Sequence, residues 1–344
     1  MSKAVLLLNL GTPAEPTAKG LREFYTRFFA DPFVFDMSPL GRWLLRNLIV
    51  KPFRAPKTAK SYASIWMDGG SPLKVYADAL LASLQSKFDE ADEEVLVFNG
   101  MAYSEPSINA AMAEMESSGV TNLVLLPMFP QYSTATTASV FHGVRQAASE
   151  WSVAPKLHFI DDLFAHPAFI KAWSILIEHQ LENMDVEHIV FSYHGLPEKN
   201  ILKADQENVC NFDDCCQQIS TRNRLCYRAQ CFATTQAIVK SLAWGEDKYS
   251  IAFQSRFGRK AWIQPYLDNH LTELVERGIK KVAILTPSFV SDCLETLHEI
   301  GIDYREQFME SGGEEFHLIP NLNDEPAWFS AVYEIANERL GKIS

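Results

Sequence analysis

The chain has 344 residues, 47% of them hydrophobic and 22% charged, and its 31 basic and 43 acidic residues leave a net charge of −12. So much apolar content excludes disorder as the main state. No apolar run approaches the ~20 residues of a bilayer-spanning helix, and the acidic balance argues against a general nucleic-acid binder.

At roughly 150 residues per domain, the length corresponds to about two domains. The N-terminal run Ala4–Leu10 reads as a first strand followed by Gly11-Thr12-Pro13, not as a signal peptide, because no small-residue cleavage site follows it. Similar short apolar runs recur at Glu94–Phe98, Asn122–Leu126 and Lys156–Ile160, then at His188–Ser192, Ser250–Phe253, Lys281–Leu285 and Glu315–Ile319. Runs of this kind suit parallel strands buried on both faces. Between them, Tyr76–Phe88, Ile108–Ser117, Phe164–Asn183 and Pro265–Arg277 show helical spacing. Four strands followed by four strands, with helices between, predicts two similar α/β halves with a boundary near residue 165. Ligand chemistry in such sheets sits just beyond the strand C-termini.

One stretch departs from the acidic average. From Met37 to Met67 there is no Asp or Glu, while Arg42, Arg46, Lys51, Arg54, Lys57 and Lys60 fall there. This basic island asks for an anionic partner. Within it, Arg42–Ile49 reads either as an amphipathic core helix or as a pocket lip that also touches anionic membrane, where each nearby Lys or Arg contributes ~1 kcal/mol.

Two strand ends carry candidate chemistry. His194, in Ser192-Tyr193-His194-Gly195-Leu196-Pro197, directly follows a buried strand, which puts an imidazole at the mouth of the sheet. After the Lys281–Leu285 strand, Ser291 can cap a helix beginning at about Asp292. On it Glu295 and Glu299 stand one turn apart, and Asp303 continues the row unless Gly301 ends the helix first. Such spacing is commonly a solvated acidic face. Here it begins one turn from a strand end, where a pocket is expected, and a carboxylate row leading into a pocket is a track for a cation. An imidazole and a carboxylate are too few for a closed zinc site, so an open, weakly held metal position or shared proton transfer fits better. Tyr103, Phe129, Tyr132, Tyr193, Phe257, Trp262, Tyr266 and Phe289 lie on the same loops and could line a pocket for a flat apolar ligand. No GxGxxG, Walker or GxSxG motif is present, so nucleotide binding has little support.

These loops resemble those of the ferrochelatases, which insert ferrous iron into a porphyrin. The matching segments are Leu7–Pro13, Gly69–Leu73, Pro130–Ser133, the His194 loop, Phe253–Gly258, Trp262 with Pro265, and Ser291–Leu297. The resemblance implies two Rossmann-like (flavodoxin-like) halves, each a four-stranded parallel sheet flanked by helices, with an active-site cleft between them. Residues 1–165 would carry the porphyrin-binding lip, and residues 166–344 the catalytic pair and a cysteine insert at 210–231. It also implies protoporphyrin IX and Fe²⁺ as substrates. His194 takes the role of pocket histidine and Glu295 of facing carboxylate, with Glu299 and Asp303 as the acidic row. Leu10, Arg54, Tyr132, Ser133 and Trp262 take the role of porphyrin contacts. Two positions depart from the pattern: Cys293 stands where animal members have a second histidine, and Ala102 where some members have an arginine. The location implied is cytoplasmic, with peripheral contact to the inner membrane as an extension of the lip.

The cysteines are unevenly placed. Cys210, Cys215, Cys216, Cys226 and Cys231 crowd into 22 residues. Six cysteines without a secretory signal point to a reducing compartment, hence to thiols or metal ligands rather than disulfides. The insert reads as a four-thiolate [2Fe–2S] site first, with zinc and free thiols as alternatives. Some ferrochelatases carry such a cluster, but animal members draw three ligands from a C-terminal extension and the fourth from the position of Thr134 here. A cluster in this chain would have to use the insert itself. Competing readings of the whole are a cobalt or coproporphyrin chelatase, and a non-enzymatic haem or iron–sulfur carrier for which His194 and Glu295 are incidental.

Overall fold

The structure, a computed structural model, describes residues 2–258 and 260–343. The eight expected strands are present: β1 (Ser2–Asn9), β2 (Val95–Met101), β3 (Val120–Pro127), β4 (Lys156–Phe159), β5 (His188–His194), β6 (Tyr249–Gln254), β7 (Lys281–Leu285) and β8 (Glu315–Leu318). They form two four-stranded sheets of the same wiring, β2-β1-β3-β4 and β6-β5-β7-β8. Every pairing in both is parallel. The central strands explain the continuous apolar runs, since Ala4–Leu8 of β1 and Val190–Tyr193 of β5 are buried, as strands covered on both faces by helices must be.

The helices follow their punctuation. Ser71 accepts from the Lys74 amide and Pro72 occupies the first turn, so the expected 76–88 segment begins earlier and runs Pro72–Glu90. The segment read as 164–183 shortens to Pro167–Leu181, with His166 as its cap. Two of the helical stretches that follow strands are not α-helical. After β3 the chain forms a π-helical turn, Thr134–Ala138, and after β7 a longer one, Leu294–Tyr304. Such i→i+5 turns concentrate at functional sites.

Two compact units result: residues 1–129, 134–162 and 329–344 form one, and residues 130–133 and 163–328 the other. The last helix, Pro326–Leu340, gives most of its length to the first unit, although its place in the chain associates it with the second half. The reason is local. Tyr333 packs its ring on Phe88 at 5.0 Å and donates its hydroxyl to Glu93 at 2.9 Å.

In the first unit, the basic island folds as a short helix, Pro39–Leu44, a π-helical stretch, Leu45–Arg54, and a helix, Ala55–Ile65. The core-helix reading of Arg42–Ile49 is corrected here. Leu40, Trp43, Leu44, Leu48, Ile49 and Phe53 are exposed, Phe53 to 75%, while Val50 is buried. The arginines turn inward instead: Arg42 donates to the Met37 carbonyl at 2.8 Å and Arg46 to the Thr26 carbonyl at 3.0 Å.

Candidate active site

The site of the second unit is assembled at the ends of β5, β6 and β7. His194 is the last residue of β5 and pairs in register with Gln254, the last of β6. Its peptide is held from both sides. The His194 amide donates to Ser288 Oγ at 3.2 Å, and its carbonyl accepts from the Tyr227 hydroxyl at 2.8 Å. The ring Nδ1 lies 2.7 Å from the Gly195 carbonyl. A carbonyl can only accept, so in the neutral imidazole the proton belongs on Nδ1 and Nε2 carries the lone pair. Gly195 has no room for a side chain, because a Cβ there would lie 2.7 Å from the Gln254 carbonyl and 3.2 Å from the Trp262 ring.

Gln254 joins the histidine to the acidic row. It is fully buried, accepts from Ser192 Oγ at 2.8 Å, and donates Nε2 to the Glu295 carbonyl at 3.0 Å. The strand end at His194, through the hydrogen bond of the Gly195 amide to the Gln254 carbonyl at 2.8 Å, and the Glu295 backbone, through the Gln254 side-chain amide, thus meet at one buried residue. The helix that carries Glu295 starts later than Ser291 suggests. Its cap is Cys293, whose amide and sulfur pair reciprocally with Thr296. Ser291 cannot serve, because Asp292 beyond it is buried in a polar network and pins the chain. The Asp292 carboxylate accepts from Thr296 Oγ1 at 2.9 Å, Asn321 at 3.0 Å and Asn323 at 2.7 Å. Cys293 is buried, and burial first, then the Glu295 charge, pushes its thiol well up.

Gly301 does not end the helix, which continues through Asp303 to Tyr304. The three carboxylates sense one another as a row should. Burial pushes the Glu299 carboxyl up to about 7; a hydrogen bond from Ser255 Oγ at 2.7 Å opposes this, and the charges of Glu295 and Asp303 add to it. Ser255 reaches Glu299 from a left-handed backbone, φ 66°. Asp303 is exposed and lies 3.4 Å from His298 Nδ1. Among the described residues, no set of three or more His, Cys, Asp or Glu side chains is arranged to hold a resident metal ion.

The remaining expected residues are distributed. Leu10 and Arg54 belong to the first unit, and Tyr132, Ser133 and Trp262 to the second. Arg54 is exposed and Tyr132 half-buried, while Ser133 and Trp262 are buried, the indole N–H donating to the Phe257 carbonyl at 3.0 Å. Tyr193 and Tyr103 are core residues rather than pocket lining. Tyr193 is fully buried with its hydroxyl 2.8 Å from Thr235 Oγ1, and Tyr103 donates to Asp31 at 2.6 Å. Gln254, Ser255, Ser288 and Tyr227 had drawn no role from sequence. The usable signal for the first three was their position at or within three residues of the ends of β6 and β7.

The cysteine insert has no helix or strand between Ala204 and Tyr227. Its thiols meet in pairs. Cys215 and Cys216 sulfurs are 3.7 Å apart. The Cys216 thiol donates to Cys226, which holds the Cys226 thiol low and its own high, and Cys210 pairs with Cys215. A cavity of about 130 Å³ is lined by Cys210, Cys215 and Cys226 together with Asp205 and Arg222. Cys231 stands apart. It is fully buried inside the helix Tyr227–Ser241 and hydrogen-bonded to Tyr227.

The ferrochelatase family model matches residues 2–340. A ferrochelatase of Coxiella burnetii (strain CbuG_Q212) is 42% identical over 98% of this chain and 93% of its own length. One of Legionella pneumophila (strain Paris) is 39% identical over 99% of this chain and all of its own. Among solved structures, the sirohydrochlorin chelatase SirB of Bacillus subtilis subspecies spizizenii in complex with cobalt covers the whole chain with 97% of its own, at a TM-score of 0.53 and 10% identity, which is a likeness of fold. With motifs, register and full-length similarity in agreement, the chain belongs to the ferrochelatase family.

Proposed function

We propose that this protein is a lyase that inserts ferrous iron into protoporphyrin IX, the closing step of haem synthesis. The observation that carries the reading is the buried Gln254, whose backbone pairs with the strand end at His194 and whose side-chain amide donates to the Glu295 carbonyl at the head of a carboxylate row. Family membership at 39–42% identity supports it.

The chemistry needs these groups. A free porphyrin holds two pyrrole N–H protons, and both must leave as the metal enters. Binding the macrocycle bent exposes its nitrogen lone pairs, so the pocket favours a transition-state-like shape. The His194 Nε2 lone pair is suited to take a proton, and its Nδ1–H bond to Gly195 stabilises the imidazolium that results. Glu295 neutralises that charge or receives the incoming ion. Glu299, ionising at about 7, and Asp303 form the route by which Fe²⁺ arrives or protons depart. Leu10, Arg54, Tyr132, Ser133 and Trp262 hold the ring, with the Arg54 guanidinium available to a propionate.

Two finer readings belong to the same proposal. First, Cys210, Cys215, Cys216 and Cys226 would hold a [2Fe–2S] cluster: three of them line one loop cavity, Cys216 pairs with Cys215 and Cys226 beside it, and two irons need two thiolates each. Cys231 is excluded by its place in a helix core. Such a cluster supplies electron-transfer or sensing chemistry and takes no part in the proton transfers. Second, the exposed Trp43, Leu48, Ile49 and Phe53, flanked by Lys51 and Arg54, rest on an anionic membrane surface. Among the described residues no helix is long and apolar enough to cross a membrane, so the contact would be peripheral.

The test is an anaerobic assay of purified protein with Fe²⁺ and protoporphyrin IX. Collapse of the free-porphyrin bands into a haem spectrum is expected. Unchanged porphyrin bands, alongside insertion of cobalt into a more carboxylated ring, would replace this reading with another chelatase.

A further inference from the structure

The thiol loop and the pocket histidine share one turn of helix. Cys226 is the residue before the helix Tyr227–Ser241, and Tyr227 is its first residue. Tyr227 is buried and donates its hydroxyl to the His194 carbonyl at 2.8 Å. Ser288, which accepts from the His194 amide, is also hydrogen-bonded to Tyr227. One turn on, fully buried Gln230 accepts from the Tyr132 amide at 2.6 Å and donates to the Arg224 carbonyl in the thiol loop at 2.7 Å. The first turn of this helix therefore ends the cysteine loop, clamps the His194 peptide and fixes the Tyr132 backbone.

We propose that Tyr227 is a positioning residue for His194 and the link through which the thiol loop acts on the pocket. The proposal rests on the reading of His194 as the group that works on the porphyrin. The Nδ1–H bond of His194 goes to the Gly195 carbonyl, one peptide beyond the His194 carbonyl that Tyr227 holds, so the ring orientation depends on how this stretch of backbone is held. With the tyrosine hydroxyl gone, one side of the clamp is open, and the peptide and ring can turn together. A displacement of about 1 Å at a reacting group can cost about 10²-fold in rate. Movement of Cys226 reaches the same clamp through a single peptide bond.

A double-mutant cycle tests this, with wild type, Tyr227→Phe, Cys226→Ser and the double variant compared. The readouts are anaerobic insertion rate, porphyrin affinity by fluorescence quenching, and the ¹⁵N signals of the His194 imidazole. Tyr227→Phe is expected to lower kcat by about tenfold or more with porphyrin affinity within about twofold. It is also expected to shift His194 from one Nδ1-protonated form to a tautomer mixture. Cys226→Ser should lower kcat by the same route, so the double variant should fall no further than the slower single variant, as coupled sites do. Cys210→Ser, which leaves the helix start intact, repeats the cycle should Cys226→Ser fail to fold. Wild-type kcat and ¹⁵N signals in Tyr227→Phe would overturn the positioning role, and multiplicative losses in the double variant would overturn the link. Absence of insertion in the wild type would instead reject the functional reading, while the ¹⁵N signals would still judge the clamp.

Discussion

The two sheets are wired alike, yet their strand ends are loaded differently. In both, the central strand is flanked in the same order, and in both the second strand's loop returns through a proline whose carbonyl accepts from the strand at 2.8 Å, Pro106 from Met101 and Pro265 from Phe253. In both, the third strand leads into a π-helical stretch. The first unit fills these places with Asn9-Leu10-Gly11 and Thr134-Ala135-Thr136-Thr137-Ala138, none of them acidic or basic. The second fills them with His194-Gly195 and with Glu295, Glu299 and Asp303. One scaffold thus serves twice, and the difference lies in a few side chains: the strand ends of the second unit carry an imidazole and a carboxylate row that those of the first unit lack.

The sharpest way to break that comparison is to remove the second unit's chemistry. His194→Ala and Glu295→Ala are each expected to lower the insertion rate by about 10²–10⁴-fold, as positioned acid–base groups do, while circular dichroism and thermal unfolding stay near wild type. Near wild-type turnover in either variant would remove that residue's role.

A steric change comes next. Gly195→Ala puts a Cβ against the Gln254 backbone carbonyl, which cannot swing aside as a side chain would. Overpacking of this kind typically costs about 1–3 kcal/mol, so the urea midpoint should fall. Trp262 should report the change through its fluorescence, since the same Cβ would press on its ring.

Glu299 gives a pH signature with a definite sign. Its carboxyl is pushed up to about 7 in the fold from an ordinary value of 4.5, so between these values the folded state holds more protons than the unfolded one. Stability must therefore decline as pH rises through that window and stay lower above it. Glu299→Gln should flatten the decline and make the variant about 3 kcal/mol more stable than wild type at pH 8, with little difference below pH 4.5. Urea titrations at both pH values decide it, and parallel curves for the two proteins would mean that Glu299 is ionised without penalty.

The smallest effect belongs to the first unit. Leu10→Ala should raise the porphyrin KM by only a few-fold, in line with about 1 kcal/mol for partial loss of an apolar contact, and should leave kcat unchanged.

Much of this arrangement was legible in the residues. Eight apolar runs gave eight strands, because strands buried on both faces cannot alternate with polar residues. The placement of His194 at the end of β5 and of the Glu295 row on the helical stretch after β7 was legible, since one ends an apolar run and the other lies on the element that follows one. What escaped has physical reasons. The π-helical geometry after β7 leaves no trace in a spacing that suits an α-helix equally, and the cap at Cys293 depends on Asp292 meeting Asn321 and Asn323, distant in the chain. The inward arginines at 42 and 46 were read as a surface charge because their partners are backbone carbonyls, which every sequence has. The cysteine loop shows its composition but not its pairing, since no periodic element constrains it.

The most direct test of the division between the units is single-turnover insertion with porphyrin already bound, run anaerobically on His194→Ala and Leu10→Ala side by side. The account predicts that His194→Ala binds porphyrin yet leaves its free-base bands intact when Fe²⁺ is added, while Leu10→Ala, once loaded, converts to haem at the wild-type rate. Rapid conversion in His194→Ala, or a stalled reaction in loaded Leu10→Ala, would contradict it.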